Sequence, residues 1–311
     1  MLSASDLHVI AVMSNPVRYR SRVRLFREFL PRMEASGATV WVVEATFGER
    51  EPAVLDPENP RHIRVRCDSE LWLKENLINV GARHLPPEAR YLGWVDGDVA
   101  FERDDWASET VEYLQHYDVV QPFSHAIDYG PQGEPMQTHK GFAYCWRQGA
   151  RLGPNNRLGG HRYGGPYWHP GYAWFWRMEA WNAVGGMIDR AVMGAGDHHM
   201  ACALIGQGEQ SYPGGIHRNY KEMVLAWQAR AEAAVKRNIG YLPGAIHHRF
   251  HGHKADRRYV ERWEILTGNA YDPARDVAYD RHGLLQWATD KRRLIDQARD
   301  YFRERNEDAA A

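Results

Sequence analysis

Short apolar segments alternate with segments of helical periodicity from the amino terminus to Ser124. Strand-like apolar runs cover Leu7–Met13, Ala38–Glu44, His62–Arg66, Tyr91–Asp96 and Asp118–Ser124. Apolar positions repeat at helical spacing over Arg18–Ala35, Glu70–His84 and Asp105–His116. This alternation predicts an α/β fold with a single Rossmann-like, mostly parallel, twisted sheet, flanking helices, and ligand sites at the carboxyl ends of the strands.

The chain changes character after this alternation. From His125 to Tyr167 it is rich in Gly, Asn, Pro and His, which predicts a long loop that closes over a site. Regular patterns return as a strand over Gly171–Arg177 and as helices over Gly196–Gly206, His217–Asn238 and Leu284–Arg305. We therefore expect one domain over residues 1–270 and a C-terminal helical extension, residues 271–311, packed on it.

Composition narrows the class of protein. Lys and Arg number 39 against 40 Asp and Glu, and a net charge of -1 does not favour a general polyanion binder. The three cysteines, Cys67, Cys145 and Cys202, are isolated, which predicts core residues in a reducing compartment. No apolar run approaches the length of a membrane span, and the amino terminus lacks a signal-peptide pattern. We therefore expect a cytoplasmic protein.

The most informative segment is Asp96-Gly97-Asp98, directly after the apolar run that begins at Tyr91. Alternate residues of a strand share a face, so both carboxylates can serve one cation or its phosphate ligands. Mn²⁺ and Mg²⁺ prefer such oxygen ligands and keep positions open for substrate phosphates. An ordinary Asp-Gly-Asp surface turn is the alternative. A calcium loop fits less well, because the apolar residues 99–101 follow.

A histidine cluster near residue 250 offers nitrogen ligands. The cluster comprises His247, His248, His251 and His253. His248 and His251 lie three positions apart, close enough to serve one ion from a turn, and we expect one or two of the four to be ligands. Lys254 follows and can meet a diphosphate. A metallohydrolase that uses the whole cluster with a metal-bound water stays open as an alternative.

Two further segments carry candidate chemistry. The turn Ser14–Arg20 contains no glycine, which weighs against dinucleotide folds and P-loops. Arg18 and Arg20 in this turn can stack on a base or bind phosphate, although a solvated basic face is equally consistent. Asp197 follows two glycines at a predicted helix start, where a capping role is the local alternative.

Taken in order, these segments resemble the metal-dependent GT-A glycosyltransferases, within them the β-1,4-galactosyltransferase-like group and its family 2 relatives. Pro16-Val17-Arg18-Tyr19-Arg20 is similar to the group's Pro-Phe-Arg-x-Arg, and Trp72–Gly81 to its Phe-Asn-Arg-x-x-Leu-x-Asn-Val-Gly. Val42-Val43-Glu44 matches a second strand that ends in Glu. The later counterparts of the Tyr-Phe-Gly-Gly strand, the Gly-Gly-Glu-Asp helix start and the terminal metal-binding His are 166–171, 194–197 and 248–251. The resemblance covers roughly residues 7 to 265.

The resemblance implies a Mn²⁺- or Mg²⁺-dependent enzyme that moves a hexose from a UDP-sugar to an acceptor hydroxyl with inversion. The implied donor-binding residues are Pro16, Arg18, Arg20, Glu44, Trp72, Lys74, Asp96, Gly97 and Lys254, with Trp72 stacking on uracil. The implied metal ligands are Asp98, His248 and His251. Asp197 would be the general base.

Departures from the family pattern concern the acceptor and the metal. Met193 and Gly196 replace the family's Trp and Glu at the acceptor-sugar site, so the acceptor is expected to differ from N-acetylglucosamine. His248 stands where the group can have a Met ligand. A glycan or another hydroxyl compound is the expected acceptor, and the arginines of 18–27 keep a hydroxymethylated base in nucleic acid as a minority idea. A non-catalytic sugar-binding module is a further alternative.

Overall fold

The computed structural model describes residues 2–152 and 168–309. The strands are β1 (Leu7–Ser14), β2 (Thr39–Phe47), β3 (His62–Cys67), β4 (Tyr91–Val95), β5 (Val99–Phe101), β6 (Val119–Gln121), β7 (His125–Tyr129), β8 (Pro135–Gly141), β9 (Trp168–His169), β10 (Ala173–Arg177), β11 (Ile239–Tyr241), β12 (Ala245–His248), β13 (Val277–Tyr279) and β14 (Leu285–Trp287). The helices are α1 (Arg20–Ala35), α2 (Lys74–Ala82), α3 (Trp106–Tyr113), α4 (Phe142–Arg147), α5 (Met178–Val184), α6 (Gly196–Leu204), α7 (Arg218–Ala234), α8 (Arg262–Gly268) and α9 (Arg292–Glu304).

The main sheet has the strand order β11-β6-β10-β4-β1-β2-β3. Strand β10 runs antiparallel to β4 and β6, and the other neighbours are parallel. The strands are continuous apolar runs because both faces of the sheet are covered. In β1, Val9 and Ala11 pack into one core cluster and Ile10 into the other. The predicted α/β fold with a mostly parallel sheet and flanking helices is confirmed.

A second sheet, with the order β5-β12-β7-β8-β9, lies where the sequence predicts a loop. The predicted loop from His125 to Tyr167 is wrong for residues 125–152, which form β7, β8 and α4. The polar, Gly-rich composition reflects the tight turn at Gly130–Gly133 and the mostly exposed face of β8. Residues 153–167, including Tyr167 and the start of the predicted 166–171 motif, lie outside the described residues.

Strand β5 carries the chain from the main sheet to the second one. It begins directly after the Asp-Gly-Asp segment and pairs with β12, so that Val99 lies opposite His248. The main chain continues this link, because the Arg249 N–H donates to the Asp98 carbonyl at 2.8 Å. The pairing thereby places the histidine segment beside the carboxylates that end β4.

The C-terminal segment begins with a hairpin. Strands β13 and β14 pair across a turn at Asp280–Gly283, so the predicted helix from Leu284 begins only at Arg292. Gly283 has a φ of +76°, a conformation that favours glycine and turns the chain out of a helix. Helix α9 then buries one apolar face, Leu294, Ala298, Tyr301 and Phe302. Residues 305–308, called here the tail, run back toward the carboxyl ends of β1 and β4.

The structure also bears on the expected core position of the cysteines and on the expected lack of a membrane span. All three cysteines are buried and free, as the sequence predicts. No helix within residues 2–152 and 168–309 is long and apolar enough to cross a membrane.

Candidate functional site

A cavity of about 1170 Å³ opens at the carboxyl ends of β1 and β4, the edge where α/β sheets bind ligands. It gathers most of the residues that the sequence singles out. The predicted site residues that line it are Trp72, Lys74, Asp96, Gly97, Asp98, Asp197, His248, His251 and Lys254. These residues come from segments spread over more than half of the chain, and the fold brings them to one place.

Other predicted donor-binding residues lie elsewhere. Arg18, Arg20 and Glu44 line a smaller neighbouring cavity of about 730 Å³. The buried Glu44 carboxylate accepts hydrogen bonds from the N–H groups of residues 53 and 54, at 2.7 and 3.0 Å. Pro16 is buried, and its carbonyl accepts a bond from Arg50 at 2.6 Å. From the basic segment 18–27, it is Arg22 that lines the main cavity.

The Asp96-Gly97-Asp98 segment is a tight turn that faces the cavity rather than solvent. Strand β4 ends at Val95, and the Val99 N–H donates to the Asp96 carbonyl at 3.1 Å. A side chain at Gly97 would meet Phe26, since an added Cβ would lie 2.8 Å from the Phe26 ring. Glycine therefore lets the turn pack on α1 while both carboxylates stay at the cavity.

Lys74 lies between the Asp96 and Asp197 carboxylates in the cavity. Its Nζ lies 2.7 Å from Asp96 Oδ1 and 3.8 Å from Asp197 Oδ2. Burial alone would lower the pKa of Lys74, but Asp96 and Asp197 raise it, so the ammonium stays charged at neutral pH. A partly buried cation held between two carboxylates can meet a phosphate oxygen without first being protonated.

Asp98, His248 and His251 form the candidate metal centre. One ligand atom from each lies within 4.8 Å of the others, and both histidines are buried. His251 Nε2 is 2.7 Å and His248 Nε2 is 3.7 Å from Asp98 Oδ2. Asp98 Oδ1 is buried with no hydrogen-bond partner among the described residues. An orphaned buried carboxylate oxygen beside two imidazole nitrogens is a donor set that fits Mn²⁺, and it fits Mg²⁺ less well because of the nitrogens.

The charges at this centre are strongly coupled. Burial alone would raise the pKa of Asp98, but His251 and His248 hold it well below its usual range. Burial alone would lower the pKa of His248, but Asp98 and Asp128 raise it to about 9. A metal ion at this centre would bind the deprotonated imidazole nitrogens of the two histidines.

Arg257 competes for the same position. Its Nη2 lies 2.8 Å from His251 Nε2, the nitrogen that also faces Asp98. The buried Arg257 Nε has no hydrogen-bond partner among the described residues. A metal ion at Asp98 would take the lone pair of His251 Nε2, so Arg257 has to withdraw when a metal binds.

Asp197 lies in the first turn of α6, with Ala195 as the N-cap. Ala195 has a φ of +81°, an unfavourable left-handed conformation for a residue with a Cβ. Asp197 Oδ1 accepts from the His198 N–H at 2.8 Å, and Oδ2 faces Gly171, where an added Cβ would lie 2.5 Å away. The carboxylate thus makes a local cap-like bond and also presents its second oxygen to the cavity.

Glu75 is a cavity residue that the sequence reasoning missed. It follows Lys74 in α2, and its only sequence signal is that of an ordinary charged helix residue. Burial raises the pKa of its carboxyl to about 8, and Lys74 lowers it only in part. Trp72 Nε1 donates to it at 2.7 Å, and Gly196 leaves room for it, since an added Cβ there would lie 2.5 Å from Glu75 Cγ. With its pKa raised toward neutrality, this carboxyl can donate a hydrogen bond beside Asp197 when it is protonated.

The raised pKa of Glu75 predicts how the stability of the folded protein depends on pH. Its folded pKa of about 8 exceeds the ordinary value of 4.5, so the folded state binds more protons between these values and stability falls as pH rises through them. Glu75→Gln should remove this loss, and the variant should gain on the order of a few kcal/mol relative to wild type between pH 5 and pH 9. Denaturant unfolding at both pH values measures the difference. Parallel pH profiles for the two proteins would contradict the raised pKa.

Trp72 has other partners at the position expected for uracil stacking. The Arg305 guanidinium lies over its ring, 5.2 Å from the ring centroid, and its Nε1 bonds to Glu75. Arg305 is itself buried and pairs with Glu307 at 2.7 Å. A base that stacks on Trp72 must share the ring with Arg305 or displace it.

Four further histidines, two from the cluster near residue 250 and two from α6, differ in their distance from the cavity. His247 bonds to Tyr129 at 2.8 Å, and His253 packs on Phe250 in an exposed position. His199 is fully buried between Ser211 and Tyr220. His198 lines the cavity, and burial lowers its pKa to about 4, so it is neutral at pH 7.

The sequence matches no protein family model and no curated protein. Similar solved structures include the catalytic domain of Drosophila β1,4-galactosyltransferase 7 in complex with xylobiose, at 15% identity and a TM-score of 0.32 over 65% of this chain and 61% of that one. A variant of that enzyme in complex with manganese, UDP-Gal and xylobiose has 16% identity and a TM-score of 0.31 over 65% and 62%.

A candidate nucleotide-diphospho-sugar transferase from Desulfovibrio desulfuricans is similar at 12% identity and a TM-score of 0.34, over 96% of this chain and 98% of that one. The chain spans about three-fifths of the length of the two galactosyltransferase structures, 61% and 62%.

Proposed function

We propose that this protein is a metal-dependent GT-A glycosyltransferase that moves a hexose from a UDP-sugar to an acceptor hydroxyl with inversion. The observation that carries the proposal is the convergence of Asp98, His248 and His251 in the cavity that also holds Lys74 and Asp197. A cation site, a partly buried ammonium and a separate carboxylate are the parts that transfer from a nucleoside diphosphate needs.

The donor side of the cavity would bind the diphosphate. Asp98, His248 and His251 would hold Mn²⁺ or Mg²⁺, which when bound neutralises charge on the departing UDP. Lys74 lies beside Asp96 and adds a protein cation on the same side. Lys254 lines the cavity but is bonded to Asp128, so it contributes to the diphosphate only if that bond is exchanged.

The acceptor side would supply the base. Asp197 takes the proton of the acceptor hydroxyl as the acceptor oxygen bonds to the anomeric carbon. The bond from that carbon to the phosphate oxygen breaks, and UDP leaves with the electron pair. Displacement from the opposite face inverts the anomeric carbon. Glu75, whose pKa is raised by burial, can hold an acceptor hydroxyl by donating a hydrogen bond when it is protonated.

The metallohydrolase alternative is less favoured. It would draw on the whole histidine cluster, but the metal-binding group among the described residues takes only His248 and His251 from it. His247 and His253 have other neighbours. Nothing in the described ranges supports a nucleic-acid acceptor, and Arg22 in the basic segment is paired with Glu307. A glycan or another hydroxyl compound remains the proposed acceptor class.

Ligand-dependent stabilisation tests the proposal. We expect UDP-sugars to raise Tm in the presence of Mn²⁺ and to have little effect in EDTA, because a ligand at 100 times its Kd adds about 2.7 kcal/mol to stability. GDP-sugars in the same screen test whether the nucleotide base of the donor has to be uracil. UDP release that an acceptor stimulates would then establish transfer.

Two results would contradict the proposal. One is equal stabilisation by UDP-sugars with and without metal, which would separate the nucleotide from the metal centre. The other is metal-dependent hydrolysis of simple esters or amides without any nucleotide, which would favour the hydrolase.

A further inference from the structure

We propose that two buried carboxylates, Asp128 and Glu307, are positioning residues for the candidate metal centre. Each holds the Nδ1 atom of one histidine and thereby turns the Nε2 atom of that ring toward Asp98. The inference rests on the metal site of the proposed function and extends it to β7 and to the tail, neither of which carries a metal-site motif in the sequence.

Asp128 holds His248. Its Oδ1 accepts from His248 Nδ1 at 2.8 Å, and the other ring nitrogen of His248 faces Asp98. Asp128 is buried in β7, which pairs in parallel with β12 so that Asp128 lies directly opposite His248. Tyr172, His139 and Lys254 also donate to its two oxygens. This set of donors fixes the carboxylate, and the fixed carboxylate fixes the ring.

Glu307 holds His251 from the other side. Its Oε2 lies 3.5 Å from His251 Nδ1, and the opposite ring nitrogen lies 2.7 Å from Asp98. Arg22 contacts both oxygens of Glu307, at 2.5 and 2.8 Å, and Arg305 adds a bond at 2.7 Å. Glu307 is buried, so its position depends on these partners rather than on solvent.

Gly252 shows how closely the tail approaches the metal turn. An added Cβ at this residue would lie 2.9 Å from the Glu307 Cα and 3.3 Å from two carbonyl oxygens of the tail. Gly252 also has a φ of +85°, which favours glycine. The residue next to His251 therefore has both the conformation and the space that Glu307 requires.

The two contacts have one chemical consequence. A neutral imidazole has one N–H and one lone pair, so an Nδ1–H that points at a carboxylate, 2.8 Å away for His248 and 3.5 Å away for His251, leaves the lone pair on Nε2. Such carboxylate–histidine pairs orient metal ligands and raise their basicity. Here both rings are arranged in the same way around Asp98, although their carboxylates come from residues 128 and 307. The tail is thus part of the site.

The test is a metal titration of the apo-protein without nucleotide. Mn²⁺ affinity is measured by calorimetry, and the ligand field by the visible absorption of bound Co²⁺. We expect Asp128→Asn and Glu307→Gln each to weaken Mn²⁺ binding 10- to 100-fold, the usual loss for such partners, and to change the Co²⁺ spectrum. Asp308→Asn is the matched control. Asp308 lies next to Glu307 and accepts from the N–H groups of residues 20 and 21 at the start of α1, one on each carboxylate oxygen, and an amide oxygen retains one of these two bonds.

The outcomes separate the two proposals. If wild type binds no metal, the metal centre of the proposed function and this inference both fail. If wild type binds metal and the folded Asp128→Asn and Glu307→Gln variants bind it equally well with the same spectrum, this inference alone fails. Should Asp128→Asn not fold, Tyr172→Phe, which removes a 2.8 Å bond to the same Asp128 oxygen, takes its place. An unchanged affinity and spectrum in Tyr172→Phe and Glu307→Gln would then reject the inference.

Discussion

Asp98→Asn should abolish Mn²⁺-dependent binding of UDP while the fold stays intact. The change removes a carboxylate that faces both His248 and His251, at 3.7 and 2.7 Å. An amide is nearly isosteric but carries no negative charge and is a poor ligand for a hard cation. Residues that only orient metal ligands typically contribute 10- to 100-fold to metal affinity. We therefore expect the loss of a ligand itself to weaken metal binding by about 100-fold or more. Calorimetry with Mn²⁺ and then UDP measures it.

The control for this variant is Asp105→Asn. Asp105 pairs with Arg103 on the surface, away from the cavity, and an exposed pair contributes little to stability. Both variants should keep the wild-type circular dichroism spectrum. If Asp98→Asn bound UDP with wild-type affinity and metal dependence, Asp98 would not be a metal ligand.

Asp197→Asn should lower kcat by about 10²- to 10⁴-fold with donor affinity and Tm retained, because this is the usual contribution of a general base. The local bond that Asp197 makes is to the His198 N–H at 2.8 Å, and an amide oxygen can accept it as well. Lys74, 3.8 Å away, keeps its closer bond to Asp96, so the donor side should be unaffected. Steady-state kinetics with UDP release as the readout gives kcat and KM separately.

His198→Gln is the matched variant for the base. His198 lines the same cavity and is neutral at pH 7, whereas His199 is sealed between Ser211 and Tyr220. If Asp197 is the base, the large kcat loss belongs to Asp197→Asn and not to His198→Gln. The reverse result would assign the base to His198 and leave Asp197 with a capping role.

The tail brings the C-terminal segment into contact with the candidate site. The sequence predicts a helix packed on the domain, whereas the structure carries Arg305 over Trp72 and Glu307 to His251 and Arg22. Asp308 continues the contact at the start of α1. Removal of the tail should therefore affect the site as well as the stability of the protein.

Local pattern was sufficient for the main sheet and for the acidic end of β4. Apolar runs with both faces buried, such as β1 and β4, have the same appearance whatever their neighbours are, because burial alone selects their residues. Asp96 and Asp98 directly follow such a run. They therefore lie at the carboxyl edge of the sheet, which is where α/β folds bind ligands.

Local pattern failed where composition was mixed. Residues 125–152 look like a loop because β8 exposes most of its side chains and the turn before it requires glycine. Residues 284–291 look helical by the spacing of their apolar residues, but the Gly283 turn pairs β14 with β13 instead. In both regions the pairing of two strands overrides propensity, and pairing is a property of two segments rather than one.

The closeness of the candidate metal ligands depended on contacts between distant segments. The sequence could nominate His248 and His251 by their chemistry, but their closeness to Asp98 follows from the register that puts Val99 opposite His248. Asp128 and Glu307 had no local signal, since a buried carboxylate is recognisable only from the donors around it. Likewise Arg22 lines the main cavity, whereas Arg18 and Arg20 line the neighbouring one. Periodicity and residue chemistry are local and can be read from one segment, whereas the partner of a buried charge is chosen by the packing of the whole chain.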